Sequence, residues 1–105
     1  MKKLVVLGAG ESGVGAALLG RMKNFDVFVS DFNTISERYK ASLVEEGIAF
    51  EEGKHSFSRI LNADLVVKSP GIPNSAPVIA SLLEESVEII SEIEFASRFT
   101  DARIV

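Results

Sequence analysis

One stretch near the N-terminus, Lys3–Gly15, constrains this chain most; its sequence is KLVVLGAGESGVG. The apolar run Leu4–Leu7 predicts a strand covered on both faces, as in a parallel sheet. Three glycines follow with the spacing G-x-G-x-x-G, at Gly8, Gly10 and Gly13. Between a strand and a helix, the first permits a tight turn, the second lets backbone approach a phosphate, and the third lets the helix lie close to the strand. The stretch therefore predicts a strand, a phosphate-binding turn and a helix N-terminus that faces an anion.

Strand and helix patterns alternate along the rest of the chain. Apolar strands are predicted at about 3–7, 26–30, 48–51, 64–68 and 87–90, with helices at about 12–23, 37–46, 57–61, 76–85 and 91–99. Ser75 is the predicted N-cap of the fourth helix, and Met22, Val44 and Leu83 are predicted to face the sheet. The alternation predicts an α/β, Rossmann-like domain with a mainly parallel sheet and helices on both faces. The sheet has five strands, or six if Arg103–Val105 begins another.

Composition excludes several classes of protein. The chain has 105 residues, enough for a single domain, with 47% hydrophobic and 25% charged residues. A net charge of −4 without a basic cluster argues against nucleic acid or an anionic membrane as a partner. The absence of cysteine excludes disulfides and thiolate sites, and indicates a reducing compartment such as the cytoplasm. Glu11 interrupts the N-terminal apolar run too early for a signal peptide.

Candidate ligand-binding residues follow the first two strands. The backbone N–H groups of Glu11, Ser12 and Gly13 lie where a diphosphate would bind. Because a carboxylate beside a diphosphate is unfavourable, we expect Lys68, at the end of strand four, to offset the charge of Glu11. Asp31 follows Gly13 by 18 residues and lies at the end of strand two, close to the spacing at which dinucleotide-binding domains bond a ribose hydroxyl.

A proline-rich loop follows the fourth strand. Residues 69–77 have the sequence SPGIPNSAP, which contains all three prolines of the chain. Since proline fixes φ, this loop should be stiff and of specific shape. It follows the carboxyl end of a parallel strand, which is the edge where open α/β sheets bind ligands.

The remaining polar residues give no indication of catalysis. His55 is the only histidine and is expected to be a surface loop residue. The adjacent carboxylate pairs, including Glu51 and Glu52, are expected to be solvated. We therefore predict no catalytic residue and no metal site. From the residues alone, an NAD(H)-binding domain of a dehydrogenase or regulatory protein fits, and so does an interaction domain whose glycine turn binds nothing.

The order of the motifs resembles the Mur ligases of peptidoglycan synthesis. The motif VVLGAGESG is followed by Asp31 after strand two, then by KSPGIP and finally by ISEIEF. The resemblance extends over essentially the whole chain. It is closest to the branch of the family that adds D-glutamate to UDP-N-acetylmuramoyl-L-alanine.

This resemblance implies a chain that is one part of a three-domain enzyme. Residues 1–105 would be the N-terminal domain, which binds the UDP part of the substrate. In that family a central domain with a P-loop binds ATP and Mg²⁺, and a third domain helps to bind ATP and the incoming amino acid. The family's P-loop follows a strand like the last residues of this chain. The resemblance thus implies a cytoplasmic ligase, expected to be monomeric, and an isolated domain that is inactive and holds no cofactor.

The family's binding residues transfer by position. The resemblance implies that Glu11, Ser12 and Gly13 contact the diphosphate, chiefly through backbone N–H groups. It places Asp31 and Phe32 where the family holds the uracil, and Ser69, Pro70 and Gly71 on the loop that lines the nucleotide. Gly10 and Asn33 are also expected to bind the UDP part of the substrate. Three positions depart from the family pattern. Phe32 and Asn33 stand where other members often have a hydroxyl residue and then arginine. Glu11 stands where an apolar residue is common.

Overall fold

The computed structural model describes residues 1–99, so the strand predicted at Arg103–Val105 lies outside the described residues. Strands and helices alternate throughout the described part. The elements in chain order are β1 (Lys3–Leu7), α1 (Glu11–Met22), β2 (Asp26–Asp31), α2 (Glu37–Glu45), β3 (Ala49–Glu52), α3 (Phe57–Ile60), β4 (Leu65–Lys68), α4 (Pro77–Glu84), β5 (Ile89–Ser91) and α5 (Glu92–Ser97).

The described strands form one parallel sheet in the order β3-β2-β1-β4-β5. From β1 the chain moves outward to β2 and β3, then crosses back to place β4 on the other side of β1. The direction of winding therefore changes between β1 and β4. At such a switch point the loops after the two strands diverge and leave a crevice at the carboxyl edge of the sheet.

Helices cover both faces of the sheet, as the sequence predicted. On one face, Leu4 and Val6 of β1 pack with buried residues of α1, α2 and α5. On the other, Val5 and Leu7 pack with buried residues of α3 and α4. Each buried aliphatic side chain contributes about 1.5–3 kcal/mol by leaving water. A strand buried on both faces is thus the centre of the fold, and it ends at the glycine turn.

The apolar faces of the helices are narrower than the sequence pattern indicated. Met22, Val44 and Leu83 were predicted to face the sheet, but 75%, 66% and 60% of their surfaces are exposed. All three lie in the last turn of their helices, where a neighbouring residue such as Leu43 or Leu82 is buried instead.

Helix starts follow capping chemistry in one case and proline in another. Ser91 begins α5, and its hydroxyl oxygen accepts a hydrogen bond from the backbone N–H of Glu94 at 3.0 Å, as the S-x-x-E pattern predicted. The prediction of Ser75 as the N-cap of α4 was wrong, because α4 begins at Pro77 with Ala76 as its N-cap. Proline is well suited to the first helical position, since it has no N–H to leave unpaired there. Within residues 1–99, the helices lack the length and apolarity needed to cross a bilayer.

Candidate functional site

The glycine turn between β1 and α1 has two positions that only glycine can occupy. Gly8 has a φ of +98°, and its N–H donates to the carbonyl of Ser30 on β2 at 2.9 Å. A Cβ on Gly13 would lie 1.9 Å from the carbonyl oxygen of Gly8. Gly10 differs from both, because a Cβ there would meet no protein atom within 4 Å. The space in front of Gly10 is open, as expected if backbone must approach a ligand there.

The N-terminus of α1 presents free hydrogen-bond donors at this turn. Gly10 is the N-cap and no side chain caps the helix. The first intrahelical bond runs from the N–H of Val14 to the carbonyl of Gly10 at 2.9 Å. The N–H groups of Glu11, Ser12 and Gly13 precede it and have no carbonyl to donate to within the helix. The Glu11 side chain is exposed, so its carboxylate can remain in water while its N–H faces an anion.

Asp31 joins the end of β2 to the glycine turn. It is the last residue of the strand, where the sequence placed it just beyond the end. One carboxylate oxygen accepts from the N–H of Ala9 at 2.8 Å, and the other accepts from the N–H of Asn33 at 2.8 Å. Since a carboxylate oxygen has two lone pairs, each oxygen can still accept from a ligand hydroxyl or N–H.

The loop after β4 lies against the same turn. The N–H of Ser69 donates to the carbonyl of Leu7 at 3.0 Å, which extends the pairing of β4 with β1. A Cβ on Gly8 would lie 2.7 Å from the Cβ of Ser69. The ammonium group of Lys68 donates to the carbonyl of Ile72 at 2.7 Å and so closes the loop on itself. The loop that the sequence predicted to be stiff is therefore held in place by a hydrogen bond to β1 and by the side chain of Lys68.

The geometry gives Lys68 a role other than the one expected from sequence. Val66 packs on the α4 face of the sheet and Val67 on the α1 face. Because side chains alternate along a strand, Lys68 is on the α4 face, opposite the α1 residue Glu11. The observed contact, to the carbonyl of Ile72, orders the loop. The counter-charge role of Lys68 stays a prediction.

The turn, the end of β2 and the loop after β4 line one cleft at the switch point. Its volume is about 210 Å³, and a second cavity of about 570 Å³ adjoins it through Phe32, His55, Gly71 and Ile72. The lining of the smaller cavity includes six of the residues predicted from sequence, namely Gly10, Asp31, Phe32, Asn33, Ser69 and Gly71. It does not include Glu11, Ser12, Gly13 or Pro70.

His55 is not the surface loop residue that the sequence suggested. Its ring is half-buried, and Nδ1 lies 2.7 Å from the hydroxyl oxygen of Ser30, a fully buried residue of β2. Phe32 also lies beside His55, and its ring centroid is 5.8 Å from that of the imidazole. His55 lines both cavities. Sequence reasoning missed it because its partner lies 25 residues earlier in the chain.

The carboxylates of Glu51 and Glu52 were predicted to be solvated, and both are half-buried and hydrogen-bonded. Glu51 accepts from the hydroxyl of Ser30 at 2.8 Å, and from the N–H and hydroxyl of Ser56. Glu52 accepts from the N–H of Ile35 at 2.8 Å and from the ammonium group of Lys40 at 2.9 Å. The two residues end β3 and hold the loops beside the cleft in place.

Burial and hydrogen bonding change the protonation of this cluster. Burial lowers the pKa of His55 below its ordinary 6.5, although the charges of Glu51 and Asp31 act in the opposite direction. Burial opposes ionisation of Glu51, but hydrogen bonds from Ser56 and Ser30 outweigh it and lower the pKa of that carboxyl. At neutral pH the histidine is therefore neutral and the glutamate ionised.

We expect the stability of the domain to decline as the pH falls below 6.5. A histidine whose pKa is lower in the folded state binds its proton more readily when unfolded, so acid favours unfolding. Urea denaturation at about pH 7.5 and about pH 5.5 measures this difference. The variant His55→Asn removes the titrating ring and should reduce the decline. An equal decline in the variant and the parent chain would contradict the assignment to His55.

Within residues 1–99, the histidine, aspartate and glutamate side chains form no cluster of three or more that could hold a metal ion. The sequence also contains no G-x-x-x-x-G-K-[ST] segment of the kind that binds ATP phosphates. What the cleft and the adjoining start of α1 do offer a ligand is backbone N–H groups and the carboxylate of Asp31.

Comparison with known families shows the family to which the chain belongs. A family model described as "Mur ligase MurD-like, N-terminal domain" matches residues 2–91. The chain belongs to this family.

Relatives of this MurD-like N-terminal domain are similar to it in sequence and in fold. UDP-N-acetylmuramoylalanine–D-glutamate ligase from Bacteroides fragilis is 60% identical over 105 residues, which are 100% of this chain and 24% of that protein. A solved pseudomurein peptide ligase type C from Methanothermus fervidus matches with a TM-score of 0.79 and 31% identity, over 95% of this chain and 21% of that one. A murein peptide ligase from Psychrobacter arcticus matches with a TM-score of 0.85 and 25% identity, over 95% of this chain and 21% of that one. The chain spans about a quarter of the length of the curated relatives it matches.

Proposed function

We propose that this chain is the UDP-binding domain of a longer ligase that adds D-glutamate to UDP-N-acetylmuramoyl-L-alanine. The observation that carries the proposal is the convergence of the glycine turn, Asp31 and the Ser69–Ile72 loop on one cleft at the switch point of the sheet. The 60% identity to a relative of that name over the whole chain supports the same substrate.

The diphosphate is proposed to bind at the start of α1. The N–H groups of Glu11, Ser12 and Gly13 supply donors, the helix dipole favours the negative charge, and Gly10 leaves space for close approach. The nucleoside then extends along the carboxyl edge of the sheet toward Asp31. The counter-charge role of Lys68 remains a prediction beside this arrangement, and the observed contact of its ammonium group is to the carbonyl of Ile72.

The nucleoside is proposed to bind between the end of β2 and the loop after β4. Asp31 accepts from a ribose hydroxyl or a base N–H with its remaining lone pairs. Phe32, whose side chain is 67% exposed, offers an aromatic face at the mouth of the cleft. Ser69 and Gly71 form the opposite wall.

The complete reaction requires more than this chain. We propose that ATP and Mg²⁺ bind to other parts of the longer protein, since the chain spans only 24% of the length of its relative from Bacteroides fragilis. The chain alone would therefore bind the UDP-linked substrate and catalyse nothing. The longer protein is proposed to be a monomeric, cytoplasmic enzyme.

A titration separates this proposal from the NAD(H) alternative. UDP and NADH are added in turn to the ¹⁵N-labelled chain, and the amide signals of Gly8–Gly13 and Asp31 are followed. We expect UDP to shift them at lower concentration than NADH. Shifts with NADH alone would overturn the proposal in favour of a dinucleotide-binding domain. No response to either ligand would favour an interaction domain.

Gly10→Ala should weaken UDP binding without unfolding the domain. The new methyl group meets no protein atom within 4 Å, so stability should change by less than about 0.5 kcal/mol. In the complex the same methyl group would stand where the diphosphate approaches, and affinity should fall about tenfold or more. Calorimetric titration with UDP measures the affinity, and urea denaturation the stability.

Gly15→Ala is the matched control for this change. Gly15 lies on the same helix, is exposed and also has open space around its Cβ position. Alanine there should stabilise the helix by up to about 1 kcal/mol and leave UDP affinity unchanged. If Gly10→Ala bound UDP as well as Gly15→Ala does, the phosphate would not approach Gly10.

A further inference from the structure

A buried hydroxyl group beneath the cleft contacts two titratable side chains at once. Ser30 is 0% exposed, and its Oγ lies 2.8 Å from Oε2 of Glu51 and 2.7 Å from Nδ1 of His55. A third contact, to the carbonyl of Lys54, is longer at 3.3 Å. A serine hydroxyl has one hydrogen to donate and lone pairs with which to accept. The single hydrogen of Ser30 cannot serve all three contacts, and the longer contact to the Lys54 carbonyl, which can only accept, is the weakest claim on it.

The carboxylate determines these directions. Glu51 also accepts from the N–H and hydroxyl of Ser56, and an ionised carboxylate can only accept. Ser30 therefore donates its hydrogen to Glu51. The short contact from His55 must then be a donation from Nδ1–H to the Ser30 oxygen. In a neutral imidazole with hydrogen on Nδ1, Nε2 carries a lone pair and is an acceptor.

The ring nitrogen that is left to accept, Nε2, belongs to a residue that lines the cleft. With Nδ1 directed at Ser30, Nε2 lies on the other side of the ring, and His55 lines both cavities together with Phe32. The ring is neutral at physiological pH, since burial lowers its pKa. Asp31, in the same cleft, is also an acceptor. His55 and Asp31 thus both offer hydrogen-bond acceptors to a nucleobase bound in this cleft.

We propose that His55 selects the nucleobase, accepting with Nε2 a hydrogen bond from a ring N–H, and that Ser30 is the positioning residue that fixes the required tautomer. The inference rests on the proposed function and names the determinant of its base specificity. Uracil has a donor at N3–H and meets this requirement. Cytosine has a lone pair at N3, which would face the lone pair of Nε2 and be disfavoured.

Modified nucleotides test the hydrogen bond directly. Calorimetric titration compares UDP, CDP and N3-methyl-UDP, the last of which lacks the donor. We expect the parent chain to bind UDP about tenfold more tightly than either analogue, because in both analogues the acceptor Nε2 would lose its hydrogen-bond partner. In His55→Asn, whose amide can reach Ser30 but not the position of Nε2, UDP affinity should fall and the preference over N3-methyl-UDP should largely disappear. Ser58→Ala, an exposed serine on α3, is the control and should bind as the parent chain does.

The tautomer is tested separately by ¹⁵N spectra of the imidazole in the unliganded chain. We expect a protonated Nδ1 and an unprotonated Nε2, and a shift toward a mixture of tautomers in Ser30→Ala. A proton on Nε2 in the parent chain would overturn the inference, as would an unchanged preference for UDP in His55→Asn. If the parent chain bound no UDP at all, the proposed function would fail and this inference with it; UDP binding that ignores His55 would overturn the inference alone.

Discussion

Gly13→Ala is expected to destabilise the domain by about 3 kcal/mol or more. A Cβ at this position would lie 1.9 Å from the carbonyl oxygen of Gly8 and 2.9 Å from its carbonyl carbon. These are backbone atoms of the turn, and Gly8 is itself held by its hydrogen bond to Ser30. Overpacking among flexible side chains costs about 1–3 kcal/mol, and a clash with fixed backbone should reach or exceed the upper end. A loss of about 3 kcal/mol or more is a large part of the roughly 5–15 kcal/mol that stabilises a domain.

Urea denaturation measures this loss, with Gly15→Ala as the control on the same helix. The two substitutions add the same methyl group to α1, but Gly15 has open space around its Cβ position. Gly15→Ala should therefore be at least as stable as the parent chain. A Gly13→Ala variant within about 0.5 kcal/mol of the parent chain would show that α1 can move away from β1 at little cost.

The parts of the fold that sequence predicts are those specified by neighbouring residues. The run Leu4–Leu7 is apolar at every position because β1 is buried on both faces, so the strand is apparent without any partner. Gly8 and Gly13 are required by a turn that is complete within six residues. The motif order along the chain then indicated the family that the comparisons show.

The polar cluster beneath the cleft could not be predicted in the same way. Glu51 and His55 follow Ser30 by 21 and 25 residues, and they meet it only because β2 pairs with β3 in a particular register. No local pattern distinguishes His55 from an exposed loop histidine. Burial of the cluster depends on the tertiary fold, which a single sequence shows only through its periodicity.

Only part of the placement of Lys68 was within reach of sequence reasoning. Val66 and Lys68 are two residues apart on β4 and so share a face, and the strand order places that face opposite α1. What sequence lacked was the strand order itself, since five parallel strands can be arranged in several ways. The positive charge of Lys68 suggested a phosphate partner, whereas the observed partner of its ammonium group is the carbonyl of Ile72.

Asp31→Asn is expected to weaken UDP binding by tenfold or more. The carboxylate accepts one backbone N–H on each oxygen, from Ala9 and from Asn33. An amide has only one oxygen, so its NH₂ group would face one of these N–H groups, donor against donor. Hydrogen bonds to a charged group contribute about 1.5–3 kcal/mol each, and the loss of one should displace either the glycine turn or the Phe32 loop. About 1.4 kcal/mol corresponds to a tenfold change in affinity. The variant has a displaced cleft and also lacks one carboxylate acceptor, so its affinity for UDP should fall at least tenfold.

Asp26→Asn is the matched control, because Asp26 is the exposed first residue of the same strand. It lies at the amino ends of the strands, away from the cleft at their carboxyl ends. Calorimetric titration with UDP should give the affinity of the parent chain for Asp26→Asn and a much weaker value for Asp31→Asn. Urea denaturation of both variants separates loss of binding from loss of folding, and we expect Asp31→Asn to remain folded with stability reduced by about 1–3 kcal/mol. Equal UDP affinities for the two variants would place the nucleoside away from the end of β2, and the cleft would then hold the diphosphate alone.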